Sequence, residues 1–118
     1  MNLRVIAILT AFVINLASAY AQPAGSISVT VTNNDSQDLM LTVADQNQAG
    51  TVVFGGRINQ GASINPLAIT ADGNGKGSIA WAVVTTSSPP ARTCGSTSGL
   101  TDGSQVNVSS GLASGSPC

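Results

Sequence analysis

The chain has 118 residues, of which 42% are apolar, 8% charged and 3% aromatic, with a formal net charge of −1. It has no histidine, and its acidic residues are five aspartates with no glutamate, so imidazole base catalysis and histidine-ligated zinc are excluded from the start. The length allows one small domain.

Met1 to Arg4 carries a single basic side chain, and Val5 to Leu16 is apolar except for Thr10 and Asn15. Ala17-Ser18-Ala19-Tyr20-Ala21 then offers two small-x-small cleavage positions. This order predicts a secretory signal peptide over residues 1–21, cleaved after Ala21 or, as the alternative, after Ala19. The apolar run is too short to span a bilayer as a helix, so no membrane insertion is expected. Cleavage leaves one domain over residues 22–118, about 97 residues with a net charge of about −2, secreted or periplasmic in location.

Ile27, Val29 and Val31 alternate with Ser28, Thr30 and Thr32, and Leu39, Leu41 and Val43 alternate with Met40, Thr42 and Ala44. Period-two patterning with β-branched residues predicts half-buried strands. Further strands are predicted over Thr51–Ile58, Ser63–Thr70 and Ser78–Thr85, with weaker ones at Ala91–Cys94 and Gln105–Ser109. The intervening segments are turn chemistry, such as Asn33-Asn34-Asp35-Ser36 and Ser87-Ser88-Pro89-Pro90. About seven short strands predict an all-β fold, a small antiparallel β-sandwich of immunoglobulin-like or related Greek-key type. The alternative is a partly closed β-barrel. The Cys…Trp…Cys order of antibody domains is absent, because Trp81 precedes both Cys94 and Cys118.

Two cysteines in an exported chain predict one disulfide, Cys94 to Cys118, which ties down the Ser/Gly-rich stretch from Gly95 to Pro117. Asp72-Gly73-Asn74-Gly75-Lys76-Gly77 has the opening of a calcium loop, which makes Asp72 and Asn74 the only metal candidates. Lys76 stands where a fifth oxygen ligand belongs and Val83 where a bidentate glutamate belongs, so the expectation is a hairpin turn with no metal and no cofactor. The aspartates, Asp35, Asp38, Asp45, Asp72 and Asp102, all sit in predicted turns, where they cap and bond their own backbone. No catalytic residue is assigned, and the chain is expected not to be an enzyme.

Arg57, Lys76 and Arg92 against five aspartates give no basic footprint for nucleic acid. Trp81 is in phase with Ile79 and Val83 and is expected in the core; exposed, it would serve as a sugar-stacking platform. Arg92, following Pro89-Pro90 and two residues before Cys94, makes Pro89–Thr93 a candidate protease-inhibitor loop. Strands faced with Ser and Thr and lacking lysine can also accept a partner strand, as in a self-assembling surface fibre. The expectation is thus a secreted non-enzymatic binding or surface-interaction module for a protein or carbohydrate partner. The inhibitor-like loop and the fibre subunit are its alternatives.

Overall fold

The computed structural model describes residues 25–111 and the backbone of residues 116–117. In chain order the strands are β1 (Ser26–Asn33), β2 (Leu39–Asp45), β3 (Thr51–Ile58), β4 (Ser63–Thr70), β5 (Gly77–Thr85), β6 (Arg92–Leu100), β7 (Gln105–Val108) and β8 (Ser116–Pro117). The first five match the alternation to within one residue at each end. The signal-peptide segment 1–21 and Cys118 lie outside the described residues.

Two sheets pack face to face as a β-sandwich. One has the order β4-β1-β7 and the other β3-β2-β5-β6-β8. Taken round the sandwich, β5-β2-β3 followed across the sheets by β4 is a Greek-key order. One pair departs from the antiparallel expectation: β1 and β7 run parallel, Val31 beside Val106 and Asn33 beside Val108. Parallel neighbours need a long connection, and the rest of the domain supplies it here.

The inward phases interlock in a dry core. Val29 and Val31 of β1, Leu67 and Ile69 of β4, and Val106 and Val108 of β7 meet Leu39, Leu41, Val43, Ile79, Trp81 and Val83 of the larger sheet. At about 1.5–3 kcal/mol per buried aliphatic side chain, this cluster is the main favourable term of the fold. Trp81 belongs to this cluster and is 4% exposed. Its room comes from Gly95, its register partner on β6, where a Cβ would lie 2.3 Å from the indole Cζ2.

β6 is longer than its sequence suggests. It runs nine residues from Arg92 to Leu100, seven of them in register with β5, although only Leu100 is a large apolar residue. Thr93 is buried and donates its hydroxyl to the Ser110 carbonyl at 2.9 Å, and Gly95 leaves space for Trp81. The inward positions are therefore filled by what the neighbours require, without a hydrophobic alternation of their own. The register shift between Gly77 and Ile79 is absorbed on β6 near Gly99, whose φ of 70° suits glycine in a bulge.

Candidate functional site

The charged groups define what the molecule does not assemble. Asp35 accepts from the backbone N–H of Ser36 and from both the N–H and hydroxyl of Ser110. Asp38 holds the Arg57 guanidinium at 2.6 Å and the Gln60 N–H at 2.8 Å. Asp45 is 1% exposed and takes the N–H groups of Asn47 and Thr70. Asp72 closes its own turn by accepting from the N–H groups of Asn74 and Lys76, and Asp102 accepts from the Ser28 N–H. Each carboxylate organises a separate piece of backbone.

Among the described residues no three His, Cys, Asp or Glu side chains are grouped to hold a metal. The Asp72–Gly77 segment is the turn between β4 and β5. Asn47 reaches across to donate to the carbonyls of Thr70 and Lys76, so oxygens flanking that turn are already in use. Asn74 contributes its backbone N–H to the Asx turn.

Asp35 joins the β1–β2 loop to the segment after β7. Burial pushes its carboxyl up, but the Ser110 and Ser36 hydrogen bonds pull it down further, and its pKa lies below the ordinary value of 3.8. A carboxyl lowered by folding contributes stability that is present above that ordinary value and lost as pH falls through the folded value. The Ser110 amide is therefore expected to exchange faster below pH 3.8 than above it, relative to the amides of β5. Following its hydrogen exchange across that range checks this. Asp38 and Asp72 are lowered likewise, the first mainly by Arg57 and the second mainly by the Lys76 N–H; Asp72 is exposed and Asp38 half-buried.

Two sequence candidates are placed differently from their functional readings. Trp81 is a core residue, so no aromatic face is offered to a sugar. Arg92 is exposed, but it is the first residue of β6 and pairs with Val84. The Thr86–Pro90 connection is closed beneath it by Thr85 N–H to Ala91 O at 2.9 Å and Ala91 N–H to Thr85 Oγ1 at 2.8 Å. Arg92 is thus part of a paired hairpin, whereas an inhibitor's reactive residue stands on a free extended loop.

What the sheets leave outward is more informative. On the smaller sheet, Thr32 bonds Ser63 and receives Gln105, a surface of hydroxyls and amides. The larger sheet differs. Its registers place Gly55, Thr42, Ala82 and Cys94 in one row across β3, β2, β5 and β6. Val52, Ala44, Ala80 and Ser96 form the row on one side, and Arg57, Met40, Val84 and Arg92 the row on the other. Met40 and Val52, 45% and 59% exposed, are the large hydrophobic side chains left in water among the described residues, and both lie on this face.

The same face carries a shallow depression of about 240 Å³ on β2, β5 and β6, lined by Thr42, Ala44, Ala80, Ala82, Cys94 and Gly95 with Trp81 beneath. Its lining is nearly all apolar. Sequence reasoning passed over this face, although the signal was there. In β2 and β5 the outward phase (Met40, Ala44; Ala80, Ala82, Val84) is apolar as well as the inward one.

No protein-family model, curated protein or solved structure matches the chain.

Proposed function

We propose that this is an exported, disulfide-closed, non-enzymatic module that acts by surface contact through the outer face of the larger sheet. The observation that carries the reading is the gathering of Met40, Val52 and an almost wholly apolar depression on that one face. Exposed apolar surface of this kind marks interaction sites in small soluble domains. The dispersal of all five aspartates into backbone caps supports the non-enzymatic part. A protein partner fits the face better than a carbohydrate, because the depression offers neither a stacking ring nor convergent polar groups. Among the described residues no helix is long and apolar enough to cross a membrane.

Export rests on residues 1–21. The disulfide is supported by β8, which pairs Ser116 with Cys94 and Pro117 with Thr93 and so brings the chain onto β6 two residues before Cys118. Closing a loop of about 25 residues contributes roughly 3 kcal/mol or slightly more in the chain-entropy model. Reduction is expected to lower the stability of the exported protein by that amount, read from denaturant midpoints of oxidised and reduced samples. Equal midpoints would argue against the tie.

The surface reading is tested with a photo-crosslinking residue placed at Thr42 in one variant and at Thr30, on the hydroxyl face, in another. Adducts from Thr42 that vanish when Ala82→Arg is added are the expected result. Equal labelling from both faces, or adducts indifferent to Ala82→Arg, would contradict it.

A further inference from the structure

Among the described residues four strands are sheet edges: β4 and β7 in the smaller sheet, β3 and β8 in the larger. Bare edges are templates for another strand, and proteins usually blunt them. β7 and β8 are blunted by length, four and two residues. β4 is interrupted by Pro66, which lacks an N–H, within the register irregularity opposite Val29 to Val31. β3 has none of these protections. It is eight residues long, contains no proline or lysine, and pairs with β2 on one side with no described strand on the other. Its single charge, Arg57, is held by Asp38. Val52 stands exposed on it and Met40 stands beside Arg57 on β2, so the exposed large hydrophobics border this edge.

We infer that β3 pairs antiparallel with β3 of a second copy of this chain, forming a closed dimer. The eight residues of β3, Thr51–Ile58, have their midpoint at Phe54–Gly55, which centres the pairing near Gly55. Antiparallel pairing about that centre sets each Arg57 against the uncharged start of the other β3, so no like charges meet. It also keeps both outer faces on the same side and joins the two five-stranded sheets into one. The occupant follows from the count of open edges. With one per copy, a self-complementary contact closes on itself, whereas a fibre needs two. This inference stands on the edge alone and does not depend on what the outer face binds.

Gly55 is the position to test, because a Cβ there meets nothing within 4 Å and the monomer fold should accept a side chain. The purified exported protein is expected to sediment at twice its monomer mass. Gly55→Lys and Gly55→Asp should each weaken association by about tenfold or more, since like charges would face each other across the axis, and an equimolar mixture of the two should restore the dimer. The fluorescence of buried Trp81 reports whether each variant is folded. A wild-type protein that stays monomeric at about millimolar concentration, a dimer unchanged in both variants, or open-ended oligomers would overturn the proposal. So would β3 amides protected equally at all concentrations, which would mean that the chain's own undescribed residues cover the edge. Should both variants unfold, that concentration dependence in the wild-type protein decides.

Discussion

Replacing Trp81 with alanine is expected to destabilise the domain by about 3–5 kcal/mol, the range for truncating a large buried aromatic. The residue is flanked on its own strand by Ile79 and Val83 and faces Val43 on β2, all buried. Strands paired on both sides cannot collapse into the space, so the cavity term is felt in full. Domains of this size have about 5–15 kcal/mol in all, and losing this much would leave the fold marginal. The midpoint of urea unfolding, followed by far-ultraviolet circular dichroism because the tryptophan is gone, checks the value. Gly95 supplies the cross-check. Gly95→Ala forces a methyl to 2.3 Å from the indole and should cost about 1–3 kcal/mol in the wild type, yet little in the Trp81→Ala background. Additive costs would show that the ring and the glycine are not in contact.

Asn33→Ala should cost about 3–4 kcal/mol although it removes a polar residue from a predicted turn. The side chain is fully buried. Its amide nitrogen donates to the carbonyls of Gln37 at 2.9 Å and Ile58 at 3.0 Å, and its oxygen accepts from the Asp35 N–H at 2.8 Å. Alanine strands all three partners, each at about 1–3 kcal/mol if buried, with some recovered by water at the loop. The end of β1, the loop after it and the end of β3 should loosen together, which chemical denaturation and exchange at the Asp35 amide will report. Asn33→Asp should be worse than alanine at neutral pH, because a carboxylate would face two carbonyls, and should recover in part when acid protonates it.

The same residue shows what could be read in advance and what could not. Five strands were legible because Val, Ile, Leu and Thr alternate cleanly, and Trp81 was placed in the core by its phase with Ile79 and Val83. Asn33 looked like turn chemistry, yet it continues the inward phase of Val29 and Val31, as Asp45 continues that of Leu39, Leu41 and Val43. Both are buried, because the inward phase runs one position beyond the apolar residues and a polar group there must bond the loops that close over it. The rule could have been applied from the sequence. The parallel pairing of β7 with β1 could not, since nothing in Gln105–Val108 states which edge it joins or in which direction. The length of β6 was hidden for a related reason: its inward positions answer to Trp81 and Ser110, residues remote in the chain. The surface was half legible, because apolar residues in both phases of β2 and β5 announce two covered faces, while the described residues cover only one.

Amide hydrogen exchange, measured strand by strand over a range of protein concentrations, tests most directly the proposed pairing of β3 with β3 of a second copy. Protection should rise with concentration in Thr51–Ile58 and stay constant in β1, β4 and β7. Constant protection throughout, or a rise centred on the hydroxyl face around Thr30, Thr32 and Gln105, would contradict that pairing.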